Sequence, residues 1–250
     1  MAGHSHWAKV KRAKGVTDQR RGKLFSKLSK EITVAARLGG GDPNFNPRLR
    51  QAIATARGES VPVDNIERAI KKGTGELAGA SYDEMIYEGY GPGGVAILVE
   101  AATDNKNRSA AEIRSLFAKN HGHLAGSGSV AWMFQHKGLI TITAPDVSED
   151  DVILAALDAG AEDVRSHEGV IEVITAPDMK LEVVSKALEA AKIPVASAKL
   201  SYLPGNLTPV TDPHVAEQVL ALLEALDDHE DAQTVHANFD MAPDLLAKAG

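Results

Sequence analysis

The chain of 250 residues is 44% hydrophobic and 24% charged, enough apolar content for real cores in one to two domains, and its net charge is −7. It contains no cysteine, which excludes disulfides and thiolate metal sites and fits a reducing cytoplasm. No apolar run approaches the roughly 18 residues of a membrane span, and the basic N-terminus is not followed by the apolar segment of a secretory leader. The total charge hides a split. Residues 1–80 hold 16 Lys and Arg against 7 Asp and Glu, a balance of +9, while residues 81–250 hold 11 against 27, a balance of −16. A basic module is thus joined to an acidic body, and a polyanion should be met by the first and turned away by the second.

The stretch His4 to Ile32 carries nine cations, Lys9, Lys11, Arg12, Lys14, Arg20, Arg21, Lys23, Lys27 and Lys30, against Asp18 and Glu31. Trp7 and Phe25 are interleaved with them, and a ring that stacks on a base beside cations that track phosphates is the pattern of a nucleic-acid site. The first half, with Gly3 and Gly15, reads as an arm or loop. The second half has helical order. Leu24, Leu28, Ile32 and Ala35 make an apolar stripe, with Lys23, Lys27, Lys30 and Arg37 on a neighbouring one. The alternative role for Trp7 is an anchor that packs the arm on the helices.

Leu38 to Pro47 has the Gly, Pro, Asn and Asp of a loop whose glycines would allow mobility. Pro47 opens a helix to about Arg57, with Leu49, Ile53 and Ala56 inward. Asp64 and Glu67 have capping-box spacing at the start of a short helix that turns Ile66, Ala69 and Ile70 inward and leaves Arg68, Lys71 and Lys72 outward. The connection Gly58 to Val63 is longer than that of a helix-turn-helix, so that comparison is weak.

From Tyr82 the period changes. Tyr82 to Gly91 reads as a strand, GYGPGG as a sharp turn, Val95 to Ala101 as a buried strand, Arg108 to Lys119 as a helix and Ser129 to Gln135 as a strand. Residues 138–203 then give strand, helix, strand, strand, helix, strand, the βαββαβ order of a ferredoxin-like sheet. The helix Pro213 to Leu226 and a strand near Val235 to Phe239 supply what the interrupted first unit lacked. The expected fold class is α+β: an N-terminal helical domain (1–80), then two ferredoxin-like domains, one (81–137 with 204–250) interrupted by the other (138–203).

Rival chemistries are weaker. GYGPGG precedes a strand and has no GK[ST], so it is a structural turn rather than a phosphate cradle, although exposure of Tyr87 and Tyr90 would reopen a binding role. The pairs His4/His6 and His121/His123 lack a third ligand, and His121 and His123 fit capping groups at a helix end. In TDNKNRS, Asn107 is the expected N-cap, with Lys106 and Arg108 as competing phosphate contacts. No nucleophile setting is present. No cofactor, metal or enzymatic activity is expected.

Several blocks together resemble one family. MAGHSHWAKVKRAKGVTDQRRGKLFSKLSKEI, VPVDNIERAIKKGTGE, YEGYGPGGVAILVEAATDNKNRSAAEIR and GSVAWMF are similar, in order, to the YebC family of regulatory proteins, whose mitochondrial relatives include the translational activator of cytochrome c oxidase. His6, and His121 and His123 in HGHLAGSG, depart from the family's usual residues. The resemblance implies three domains and a role in gene expression through nucleic acid. The expectation is a cytoplasmic, non-enzymatic DNA-binding transcriptional regulator. Its alternatives are an RNA- or ribosome-binding translation factor, and an adaptor whose acidic lobes dock a protein such as polymerase or the ribosome.

Overall fold

A computed structural model describes residues 18–143, 146–167, 169–177, 180–242 and 244–246, with side chains from residue 21 onward. Three helices come first: α1 (Asp18–Gly39), α2 (Pro47–Gly58) and α3 (Val63–Thr74). The expected apolar stripe of α1 does turn inward. Ile32 and Ala35 are buried against Leu49, Ile53 and Ala56 of α2 and Ile66 and Ala69 of α3, with Phe25 and Leu28 half-buried at the margin. The α1–α3 crossing is close because Gly73 lies against Thr33 and Ala36; a Cβ there would collide with the Thr33 carbonyl oxygen and come within 2.7 Å of the Ala36 methyl.

Of these three helices, α3 starts differently from the sequence reading. Pro62 occupies the N-cap of α3 without a side-chain cap, so Asp64 falls inside the first turn, where its charge faces the positive end of the helix, and the expected capping box does not form. The loop before α2 is tied down by Asn46, whose Nδ2 donates to the carbonyls of Ala35 and Gly40, each at 2.8 Å, while its Oδ1 accepts from the Leu49 amide at 3.0 Å.

The described residues divide into two compact units, one running to Met133 and resuming at Asn206, the other spanning Phe134–Gly205. In the first, β1 (Asp83–Tyr90) and β2 (Ala96–Thr103) form an antiparallel hairpin. The turn between them needs its glycines: Gly93 and Gly94 have φ of +69° and +77°. Tyr87 is buried and the Tyr90 hydroxyl donates to the Ser129 carbonyl at 3.0 Å, so both rings serve packing. Helix α4 (Lys106–Lys119) leads to β3 (His123–Leu124), a two-residue edge strand. After the second unit come β8 (Thr208–Pro209), α7 (Pro213–Asp227), β9 (Ala232–Ala237) and β10 (Phe239–Asp240). The main sheet has the order β3-β1-β2-β9, every pair antiparallel. Helices α4 and α7 share one core with it, in which Ile113 and Phe117 meet Ile97, Val99, Val219 and Leu223. The layout is that of a ferredoxin-like sandwich, but the chain path is different: the hairpin comes first, and α7 and β9 close the far edge last.

The second unit holds β4 (Phe134–Ile142), α5 (Glu149–Asp158), β5 (Asp163–His167), β6 (Val170–Thr175), α6 (Lys180–Ala190) and β7 (Ser197–Pro204). Its sheet order, β5-β6-β4-β7, is ferredoxin-like, and Val152, Val184 and Leu188 of the helices pack on Ile140, Ile142 and Val173. The strands expected separately near 129–135 and 139–143 are replaced by this single β4, preceded by a 3-10 turn at Ala131–Met133. Overall the class is α+β with a helical part first, as expected.

Candidate nucleic-acid interface

Helix α1 is the element to which the sequence assigns the cations. Trp7, Lys9, Lys11, Arg12 and Lys14 lie outside the described residues, and of Arg20 only the helical backbone is described. Arg21 is exposed on the first turns of α1 and makes no ion pair among the described residues. Lys23, Lys27 and Lys30 follow at steps of four and three, which places them on one face. That face does not point into solvent.

It points at the segment just after α7. Lys23 Nζ pairs with Asp228 Oδ2 at 3.3 Å, Lys27 Nζ donates to the Asp227 carbonyl, and Lys30 Nζ reaches both the Glu230 carbonyl at 3.0 Å and Asp231 Oδ1 at 2.6 Å. The last carbonyls of a helix have no partner within it and carry partial negative charge, so a stripe of ammonium groups is a fitting cover for the end of α7. Three of the cations expected to hold phosphates therefore meet carboxylates or carbonyls of the protein itself.

Asp231 is the centre of this contact. Its side chain is buried, and its Oδ2 accepts from Ser109 Oγ at 2.5 Å, Arg108 Nη2 at 2.7 Å and Thr103 Oγ1 at 3.0 Å. Burial alone would push its pKa up, but the hydrogen bonds from Lys30, Ser109 and Arg108 outweigh it and hold the carboxyl well below the usual carboxylate range. Arg108 is shared with Asp104 at 3.0 Å, and Lys106 pairs with Asp83 at 3.2 Å on the surface, so both proposed phosphate contacts of TDNKNRS meet carboxylates of the chain itself. The N-cap there is Asn105 rather than Asn107. Its amide donates to Thr103 Oγ1 at 3.0 Å and its Oδ1 accepts from the Arg108 amide at 3.1 Å, which places Asn107 within the helix.

A second basic surface was noted in the sequence only as the outward side of α3. Arg68, Lys71 and Lys72 are exposed and make no ion pair among the described residues. Beyond the tight contact at Gly73, α1 and α3 part to form an open cleft of about 300 Å³, and Ser26, Ser29, Lys30, Asn65, Arg68 and Tyr82 are among its walls. A smaller hollow of about 200 Å³ shares Thr33, Lys72 and Tyr82 with it and adds Arg37. The signal for this site was the cation spacing on α3; the missing information was which helix lies opposite.

His4 and His6 lie outside the described residues; among the described residues no three His, Asp or Glu side chains are placed to hold an ion. The His123 ring stacks on Tyr90 with centroids 5.5 Å apart, and His121 follows the end of α4 with φ +60°. No helix among the described residues is long and apolar enough to cross a membrane.

A basic three-helix module with an antiparallel α+β sheet, its chain path interrupted by a second α+β unit, defines the class of the protein. The chain belongs to the TACO1/YebC family. Residues 5–76 match the model described as the TACO1/YebC protein N-terminal domain, and residues 82–239 match that of the second and third domain. It is 56% identical to a "Probable transcriptional regulatory protein" of Methylacidiphilum infernorum and 55% identical to one of Desulfotalea psychrophila, each over 98% of both chains. A solved structure of a conserved hypothetical protein from Aquifex aeolicus superposes with a TM-score of 0.83 at 47% identity, covering 90% of this chain and 92% of that one.

Proposed function

We propose that the protein is a non-enzymatic, nucleic-acid-binding regulator of gene expression acting in the cytoplasm, with DNA and transcription as the primary target. The observation that supports it most directly is the charge split, +9 over residues 1–80 against −16 over the remainder. The names of the full-length relatives as transcriptional regulators support the same reading. In this reading Lys9, Lys11, Arg12, Lys14, Arg20 and Arg21 contact phosphates and Trp7 stacks on a base, whereas Lys23, Lys27 and Lys30 hold α1 on the body. The acidic residues of the body repel the same polymer and orient it, and they offer a surface to a protein such as polymerase or the ribosome.

The test replaces Lys9, Lys11, Arg12 and Lys14 with Ala in the full chain. Each phosphate contact removed should lower the slope of log affinity against log salt by about 0.9 on duplex DNA, so up to about 3.6 in all. An unchanged slope removes these residues from the contact surface. Crosslinking in cells, with identification of the nucleic acid recovered, decides between DNA and the alternative of ribosomal RNA, which the interleaved Trp7 and Phe25 favour.

A further inference from the structure

We infer that the cleft between α1 and α3 seats a single, unpaired nucleic-acid strand, with phosphates on Arg68 and Lys72 and a base against Tyr82; the inference rests on the nucleic-acid reading above and assigns a part of the surface that reading does not use. Three observations carry it. The first is sign. The chain has 34 Asp and Glu, yet among the described residues neither this cleft nor the adjoining hollow has a carboxylate in its walls, while Arg37, Arg68 and Lys72 contribute to them beside Lys30, whose charge Asp231 already meets. Such a one-sided lining in an acidic protein focuses an anion on this spot.

The second is size and polarity. About 300 Å³ is at the lower end of small-ligand sites, room for a nucleoside and far too narrow for a duplex to enter. Between the cations stand neutral hydrogen-bonding groups, Ser26, Ser29 and Asn65, suited to sugar and base edges rather than to a bare ion. The third is the aromatic wall. Tyr82 borders both hollows, and Lys30, itself fixed by Asp231, lies over its ring at 5.4 Å from the centroid. An anchored ring beside free cations is the arrangement by which sequence-tolerant single-strand sites work.

Thr33 Oγ1 donates to the Ala69 carbonyl at 3.2 Å next to the Gly73 contact, and the cleft opens from there toward Gly22 and Asn65. The strand would leave it toward the first turns of α1, where Arg21 continues the cationic path.

The experiment measures fluorescence anisotropy of the full chain with a mixed-sequence oligonucleotide of about 15 nucleotides, labelled with fluorescein, as single-stranded RNA, single-stranded DNA and duplex DNA. Arg68→Gln with Lys72→Gln should weaken binding of both single strands by roughly tenfold and lower their salt slope by about 1.4, two contacts at about 0.7 each. Arg57→Gln with Arg114→Gln, two exposed cations outside the cleft, removes the same charge and should leave the single strands within about twofold. Tyr82→Leu should cost roughly tenfold, and Tyr82→Phe should restore it, because stacking needs the ring and not the hydroxyl. Equal losses from the cleft and control pairs, or equal losses on single strand and duplex, overturn the assignment. If the wild type binds and only the substitutions at Lys9 to Lys14 weaken it, the cleft is excluded and the wider reading stands; if the wild type binds none of the three probes, both fail.

Discussion

Replacing Asp231 by Asn tests the attachment of the basic helix directly. The carboxylate is fully buried and takes four side-chain hydrogen bonds, two of them from cations, Lys30 and Arg108. An Asn of the same volume keeps one acceptor but turns an NH2 group toward donors, and it leaves Lys30 or Arg108 facing no charge at this position. Breaking a buried pair by removing one partner costs about 3–5 kcal/mol; Arg108 retains Asp104, so the lower end applies, about 3 kcal/mol. Urea unfolding followed by circular dichroism at pH 7 reads it. The pH dependence has a definite sign. Because the native pKa is depressed below the unfolded value of about 3.9, the contribution is fully present above that pH and is lost as pH falls toward the native pKa. By pH 3 about 1.2 kcal/mol of the gap between wild type and variant should be gone, at about 1.36 kcal/mol per unit. A gap below about 1 kcal/mol at pH 7, or one that does not narrow between pH 5 and pH 3, refutes the reasoning.

Gly73→Ala should destabilise by about 1–3 kcal/mol in the same measurement, since the added methyl meets the Thr33 backbone, which cannot move without shifting α1. Asn46→Ala removes an N-cap and two further bonds to the Ala35 and Gly40 carbonyls, and a loss of about 2 kcal/mol is expected, with faster amide exchange at Leu49. Glu88 is buried; desolvation raises its pKa, but backbone amides of Gly128, Val130 and Ala131 bind it closely enough to leave it lowered. Glu88→Gln should cost about 2 kcal/mol and speed exchange at those three amides, and the wild-type contribution should hold above pH of about 4.3 and fade as pH drops through the lowered native pKa.

The fold was legible wherever a period or a strand order is local. Of the stripe Leu24, Leu28, Ile32 and Ala35, the last three join the helical core, and the strand and helix order after residue 138 placed both helices on one face of the second sheet. Sequence reading failed where one residue has two uses. The strands expected at 129–135 and 139–143 are one strand, β4; Gly138 lies mid-strand opposite Thr175, and it is glycine because the Thr175 hydroxyl and Leu181 occupy the space of a Cβ. The DNKN run offers two possible caps, and the choice of Asn105 is made by the Thr103 hydroxyl.

The candidate site was legible by kind of residue and not by partner. Spacing put Lys23, Lys27 and Lys30 on one face, but the groups they meet lie some 200 positions later, in the run DDHED, which nothing local in the sequence ties to α1. Two kinds of cation therefore share one helical module, and their physics differs. The Lys30 to Asp231 contact is buried, with the two side chains 12% and 1% exposed, so dissolved ions reach it little. Arg21, Arg68 and Lys72 are exposed and subject to full screening. If the proposed site holds a polymer, ionic strength that releases it from the second group leaves the first in place, and the ligand can exchange while α1 stays attached to the body.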